Sequence, residues 1–178
     1  CGLTSVTIPN SVTTIEDSTF KLTQNAYEYS LDEGETWVSL AAGTNTPTVP
    51  AGSKIMFKST NPSISSSYGI GTFTINKKCN VSGNIMSLLY GDNFEGQTDL
   101  IGKNSAFPSL FANCTTLQSA ENLILPATTL ANNCYTSMFR DCTSLVTAPV
   151  LPATTLADYC YQYMFNGCTS LVNAPELP

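Results

Sequence analysis

The sequence contains no histidine among its 178 residues. That absence excludes the commonest general base, the Ser-His and Cys-His nucleophile pairs and every metal site that uses an imidazole ligand. Cys-x-x-Cys pairs are also missing, which disfavours structural zinc. We therefore predict a protein that is not an enzyme, with no catalytic residue, no metal and no cofactor.

Charged residues are scarce in this sequence. They make up 11% of it, the net charge is −6, and the only adjacent cationic pair is Lys77-Lys78. The basic footprint that nucleic acids and anionic lipids require is therefore missing. No run approaches the roughly 18 apolar residues of a membrane span, and residues 1–20 lack the regions of a signal peptide. Abundant neutral Ser, Thr and Asn must cover the surface, which suits an extracellular or cell-surface location.

A 26-residue period organises the C-terminal part of the sequence. The clearest copies begin at Leu125 and Leu151, and both read Leu-Pro-Ala-Thr-Thr-Leu-Ala. A more divergent copy lies upstream around 107–117, followed by two extra residues in the stretch 118–124. A unit of this size cannot bury its own apolar face, so we expect the copies to stack as a solenoid over residues 106–178.

Each copy is predicted to hold one extended segment and one short helix. Leu-Pro-Ala-Thr-Thr-Leu is too short and too restricted by proline for a helix, and it indicates an extended segment. The stretch 157–166 indicates a helix, because Cys160 and Met164 are four residues apart, as are the aromatic residues that follow them. That spacing places both pairs on a side that can pack in the core. Gly167 can end such a helix.

The motif that carries most information is Met-Phe-x-x-Cys-Thr-Ser-Leu-Val, at 138–146 and 164–172, joined to Ala-Pro-x-Leu-Pro-Ala-Thr-Thr-Leu at 148–156. It resembles the BspA-like leucine-rich repeats of bacterial surface proteins. The run Leu3–Ile15, with Phe20 after it, looks like one outlying coil of the same family. The resemblance implies surface-exposed or secreted proteins, often of anaerobic bacteria and sometimes of protozoa or phages, that adhere to host proteins.

A small β-sheet module is predicted between the outlying coil and the solenoid. Alternating apolar and polar residues predict four strands, at Tyr27–Leu31, Thr36–Leu40, Lys54–Lys58 and Thr72–Ile75. Clusters of Gly, Pro, Asn and Ser separate them, as in an antiparallel sandwich of the immunoglobulin or jelly-roll kind. The predicted fold is therefore α+β, a leucine-rich-repeat solenoid with an inserted β-sandwich. Its predicted parts are a coil (1–25), the module (26–80), a transition (81–105) and the solenoid (106–178).

The segment Ser30–Trp37 fits the pattern Ser-x-Asp-x-Gly-x-Thr-Trp, which resembles the Asp-box of sialidase-like propellers. It predicts a hairpin in which Asp32 accepts backbone N–H groups, Gly34 takes a positive φ and Trp37 covers the turn. One such segment cannot make a propeller, which needs several blades. We therefore predict a structural role and no sialidase activity.

The repeat cysteines occupy recurring slots, Cys114, Cys142 and Cys168 in one and Cys134 and Cys160 in another. Stacking would bring equivalent cysteines to roughly 5 Å, a distance at which a disulfide can form, although parallel side chains disfavour it. We predict reduced, buried thiols that pack as small hydrophobes. Cys1 is either the end of an interrupted repeat, which we favour, or a lipidated first residue.

Carboxylates group at 16–17, 32–35 and 92–95. A glycosidase pair or a calcium site near Asp92, Asn93 and Glu95 is conceivable for such groups. Solvation at the surface is the favoured interpretation, because each group lies in a loop-like context.

Candidate contact residues lie where the repeats differ or in the middle module. Tyr159 and Tyr163 are four residues apart and form either a ligand-contacting pair or a partly buried packing pair. Trp37 and Tyr29 are the candidates for a glycan-directed site. The predicted function is non-catalytic binding or adhesion to a protein or glycan of a host or neighbouring cell. The alternative is a fibre or stalk component, bacterial or phage, whose repeats self-associate end to end.

Overall fold

The structure, a computed structural model, describes residues 3–7, 20–22, 26–50, 52–64 and 72–177. Its strands are β1 (Leu3–Thr7), β2 (Phe20–Leu22), β3 (Tyr27–Ser30), β4 (Val38–Leu40), β5 (Lys54–Lys58), β6 (Phe73–Ile75), β7 (Cys79–Asn84) and β8 (Leu117–Ile124). A four-residue helix, α1 (Ser87–Tyr90), and a 3₁₀ turn at Gly91–Asn93 follow β7.

One mixed sheet joins parts of the chain that the sequence predicts to be separate. Its strand order is β4-β3-β5-β1-β7-β8, and β2 pairs with β6 in a second, two-stranded sheet. The four strands predicted by alternation are confirmed as β3, β4, β5 and β6. However, β1 lies between β5 and β7 and is antiparallel to both. The predicted coil, module and transition therefore share one sheet, and the sandwich and the domain boundaries stay predictions.

Successive repeats lie side by side and are joined along three lines of hydrogen bonds. On the first line β7 and β8 are parallel, and the Ser119–Thr147 bridge extends the pairing to the next repeat. On the second line, parallel bridges link Asp99 to Thr129 and Thr129 to Thr155. These bridges confirm that Leu-Pro-Ala-Thr-Thr-Leu is extended. The third line runs through the stretch that was predicted to be helical.

That stretch is a succession of turns, so the predicted helix at 157–166 is wrong. The backbone φ is positive at every fourth residue of three equivalent segments, which we call the turn rows: 105–113, 133–141 and 159–167. An α-helix contains no such residue. Within the turn rows, the residues with positive φ are Ser105, Ser109, Asn113, Asn133, Ser137, Asp141, Tyr159, Tyr163 and Gly167.

Local hydrogen bonds alternate with bonds to the following repeat in the turn rows 105–113 and 133–141. The Thr136 N–H donates locally to the Asn133 carbonyl at 3.3 Å, whereas the Ser137 N–H donates to the Gln162 carbonyl of the next repeat at 2.8 Å. A helix would use all these N–H groups within itself. In these turn rows about half of the N–H groups donate to carbonyls of the following repeat. These bonds hold two repeats together where no strands pair.

The four-residue spacing of the core residues is common to a helix and to consecutive turns, which explains the wrong prediction. As expected from that spacing, Cys160 and Met164 are buried, and Tyr161 and Phe165 are partly buried against the core. Short polar residues and glycine tolerate the left-handed positions best. At Gly167 (φ 78°) a Cβ would lie 2.2 Å from Asp141 Oδ1, so any larger residue there would have to displace the Asp141 carboxylate.

Two stacks of aromatic rings run through the repeats. The first joins Phe73, Phe111, Phe139 and Phe165, with centroid distances of 5.6, 5.5 and 5.5 Å. The second joins Phe107, Tyr135 and Tyr161, with centroid distances of 5.8 and 5.9 Å. Because Phe73 belongs to β6, the first stack extends the core of the repeats into the strand-rich part of the chain.

Candidate functional site

An apolar groove follows the strand side of the last repeats. It opens because the Val172 N–H still donates to the Val146 carbonyl at 3.2 Å, whereas residues 173–177 make no further backbone hydrogen bond to 147–151 within the described chain. The resulting cavity has a volume of about 590 Å³. We call it the strand-side groove; valines and prolines line much of it, namely Val146, Pro149, Val150, Val172 and Pro175.

The valines of this groove are unusually exposed for apolar residues. Val146, Val150 and Val172 expose 40%, 74% and 71% of their surface. A second cavity, of about 390 Å³, shares Val150 with the groove and continues it towards Ile124, which is 53% exposed. Contiguous exposed apolar side chains are typical of interaction surfaces.

The charge at the groove is of one sign. Among the described residues, Glu121 and Glu176 contribute to its lining and no Lys or Arg does. Sequence reasoning did not single out these residues. The sequence nevertheless contains a pattern that predicts exposed residues here, the repeated Leu-Val pair. Neighbouring residues of an extended segment point to opposite sides, so one member of each pair must face outward. Leu145 is buried and Val146 is exposed, as this rule requires.

Tyr159 and Tyr163, predicted as possible contacts, lie on the third turn row. Their φ angles are 59° and 55°, and they expose 61% and 59% of their surface. In the preceding repeat the same slots hold Asn133 and Ser137, also at positive φ. The two tyrosines are therefore open to solvent; contact with a ligand stays a prediction.

Trp37 and Tyr29, the candidates for a glycan site, are placed by the predicted hairpin, which is confirmed. Asp32 accepts the Thr36 N–H at 2.9 Å, the Ser30 hydroxyl at 2.7 Å and the Thr36 hydroxyl. The Trp37 indole N–H donates to the Gly34 carbonyl at 3.1 Å. Tyr29 is buried in β3, and the ring of Trp37 is only partly exposed.

A buried lysine lies beside the hairpin. Lys58 Nζ is 2.8 and 2.9 Å from the two carboxylate oxygens of Asp92, 3.9 Å from Glu28 and 4.3 Å from the centroid of the Trp37 ring. Asp92, a residue of the conceivable calcium site, is thus an ion-pair partner. Among the residues that the structure describes, no group of three His, Cys, Asp or Glu side chains could hold a metal ion.

The described cysteines are free thiols, and those of the first slot donate to the backbone of the preceding repeat. Cys114, Cys142 and Cys168 donate to the carbonyls of Phe73, Phe111 and Phe139, each at 3.0 Å. Burial raises the pKa of Cys114 and of Cys134 to about 12. These thiols are therefore protonated and poorly nucleophilic at neutral pH, in agreement with a packing role.

Comparison with known families matches the stacked repeats to the BspA type leucine-rich repeat region, in 6 copies, over residues 1–48 and 101–175. The chain belongs to this family. The match includes the part of the chain that holds the hairpin at Ser30–Trp37 as well as the C-terminal leucine-rich repeats. Comparison with curated proteins and with solved structures found no significant match. Within the described part of the chain, no helix is long and apolar enough to cross a membrane.

Proposed function

We propose that this leucine-rich-repeat chain is a non-catalytic binding scaffold of a cell-surface or secreted protein, and that it holds a polypeptide partner in the strand-side groove. The exposed valines of the groove carry the proposal. They are held on a frame of repeats joined by hydrogen bonds along three lines, so the apolar surface is presented without rearrangement. A preformed surface loses little conformational entropy on binding.

A polypeptide is favoured over a glycan as the partner. The described residues that line the groove are mainly aliphatic side chains and prolines and include no aromatic ring. Small-molecule sites, in contrast, are commonly lined by aromatic as well as aliphatic side chains with a few precisely placed polar groups. The candidates for a glycan site offer less surface. Tyr29 is buried, and the Trp37 ring has Lys58 above it and its N–H already donated.

The groove can be tested with phage-displayed peptides selected on the whole chain. Selected peptides are expected to lose at least about tenfold in affinity for Val150→Asp and for Val172→Asp, because a charge would be buried against an apolar partner. Ile101→Asp is the matched control, since Ile101 is as exposed as Val172, at 71%, and does not line the groove. Selected peptides that bind all three variants equally, or no enrichment, would overturn the proposal.

A further inference from the structure

A polar cavity lies beside the buried Lys58 and shares no described residue with the strand-side groove. Its volume is about 430 Å³, which is within the range of small-molecule sites. The described lining comes from β3, β4, the end of β5 and the turn after α1, and it includes Glu28, Lys58, Asn61, Tyr90 and Asp92. The cavity thus lies where the predicted module meets the predicted transition.

Hydrogen bonds fix the two sides of this cavity against each other. The Ser59 N–H donates to the Ser87 carbonyl at 3.1 Å, and the Gly91 N–H donates to the Ser59 carbonyl at 2.8 Å. The side-chain amide of Asn61 donates to the Ala26 carbonyl at 2.9 Å. The polar groups of the cavity are therefore held in place before a ligand binds, which lowers the entropic cost of binding.

Lys58 is the residue of this cavity that stability explains least. It is 7% exposed, and a buried ion pair usually stabilises a protein no more than apolar residues of similar volume do. Its ammonium group has three protons. Two serve the oxygens of Asp92, at 2.8 and 2.9 Å, whereas Glu28 is 3.9 Å away, beyond hydrogen-bond distance. Among the described residues, the third proton therefore has no oxygen acceptor.

The other polar groups of the cavity are neutral. Thr60, Tyr90 and Asn93 contribute two hydroxyls and an amide to the lining, and Asn61 keeps its Oδ1 as an acceptor. The two carboxylates of the lining already lie against one ammonium group. A ligand that both donates and accepts hydrogen bonds without carrying a charge matches this set. The ring of Tyr90 adds the aromatic surface that small-molecule sites commonly include.

We propose that this cavity binds a neutral mono- or disaccharide. Lys58 donates to one sugar hydroxyl, Asp92 accepts from the neighbouring one, and the ring of Tyr90 packs against a C–H face of the sugar. An acidic sugar is repelled by Glu28 and Asp92. The sugar therefore binds beside Trp37 and not on its ring, and this site does not depend on the strand-side groove.

A glycan array tests the class of ligand. The probe is the whole chain, biotinylated and bound to fluorescent streptavidin, because four linked copies raise the avidity of a weak site. We expect neutral mono- and disaccharides to retain the probe and sialylated or uronic-acid glycans not to retain it. Isothermal titration calorimetry then measures the affinity of the single chain for a retained sugar.

Two lysine variants test the location of the site. Lys58→Met is expected to lower the affinity for the sugar at least about tenfold, because hydrogen bonds to charged groups are strong, and to stay folded, because it removes a buried charge. Lys54→Met is the matched control. Lys54 lies on the same strand, pairs with the exposed Glu33 at 3.7 Å and does not line the cavity. Its variant is expected to bind as wild type does, and so is Val150→Asp in the groove.

Trp37 reports on the site in the wild-type chain. It is the only tryptophan of the sequence, and Lys58 Nζ lies 4.3 Å from the centroid of its ring. A sugar that contacts Lys58 should therefore change the fluorescence of Trp37. We expect a saturable change whose midpoint agrees with the calorimetric affinity.

Three results would overturn the proposal. The first is an array on which no neutral sugar retains the probe. The second is an equal affinity of wild type and folded Lys58→Met, or binding that leaves the fluorescence of Trp37 unchanged. The third is tighter binding of spermidine than of any neutral sugar, which would assign the cavity to amines.

Discussion

The thiol of Cys142 donates a hydrogen bond to the backbone carbonyl of Phe111, with 3.0 Å between Sγ and oxygen. This bond connects one repeat to the preceding one through a side chain. Cys168 repeats it with Phe139 at the same distance, but Cys142 is buried and Cys168 is only partly buried. The two cysteines thus form a matched pair that differs in solvent access.

Thiol labelling should distinguish these two cysteines. Burial raises the pKa of both thiols, that of Cys168 to about 11, and the less accessible Cys142 is expected to react last because only the thiolate is nucleophilic. Mass spectrometry after iodoacetamide treatment of the native protein at pH 8 would measure the order. Equal labelling of the two, or a disulfide that joins them, would contradict the packing role.

The hairpin at Ser30–Trp37 should make stability depend on pH in the acid range. Hydrogen bonds from the Thr36 hydroxyl, the Thr36 N–H and the Ser30 hydroxyl lower the pKa of Asp32 from 3.8 to about 2. Folding therefore favours the carboxylate form. Its contribution to the free energy of unfolding is complete above pH about 4 and is lost as the pH falls towards 2. Melting temperatures of wild type and Asp32→Asn between these values would measure it.

The Asp32→Asn variant is expected to lack this part of the acid dependence. Glu35→Gln is the matched control, because it removes an exposed charge from the same turn without touching the hydrogen bonds of Asp32. Parallel pH profiles for wild type and Asp32→Asn would show that the carboxylate does not hold the turn.

The aromatic stack provides a comparison of an inner and an end ring. Phe139 is fully buried between two rings, whereas Phe165 has one ring neighbour in the part of the chain that the structure describes. Phe139→Ala is expected to lower the free energy of unfolding by about 3–5 kcal/mol, and Phe165→Ala by about half of that or less. Urea unfolding with comparable m-values would measure both. A larger loss for Phe165→Ala would mean that its outer face is covered.

Removing Asp92, the ion-pair partner of the buried Lys58, should destabilise the protein more than replacing Lys58 itself. Asp92→Ala leaves the ammonium with Glu28 at 3.9 Å and the Trp37 ring, and is expected to cost about 1–2 kcal/mol, discounted because Asp92 is exposed. Lys58→Met removes the buried charge altogether and is expected to be nearly neutral. Urea denaturation of both variants would measure the two losses in unfolding free energy. A larger loss for Lys58→Met than for Asp92→Ala would show that the lysine itself is stabilising.

The strands of the middle segment could be predicted because alternation is specific to a half-buried strand. The pairing of β1 with β5 and β7 could not, since it joins residues that are distant in sequence and leaves no local pattern. The helix prediction failed for a different reason. Asn133, Ser137 and Asp141, one at every fourth position, indicate left-handed turns, but Tyr159 and Tyr163 hide this signal in the copy from which the helix was inferred.

The candidate surfaces were predicted only in part. Tyr159 and Tyr163 were found because they differ from the preceding repeat and are indeed exposed. The groove was missed because Val146 and Val172 are identical between repeats, whereas contact residues are expected where the repeats differ. In a stacked array an identical residue can face outward in every repeat, and the repetition then extends the surface.

The strand β8 accommodates two more residues than β7 does over the same paired length. Cys79 and Asn80 pair with Leu117 and Ser119, and Ser82 pairs with Asn122, so each register shift takes up one residue. Bulges allow such changes of length. A turn row has no equivalent, because an insertion that is not a multiple of four would put the left-handed positions out of phase. We therefore expect relatives to gain and lose residues on the groove side, where such changes would reshape the proposed contact surface. The number of residues in each turn row should stay constant.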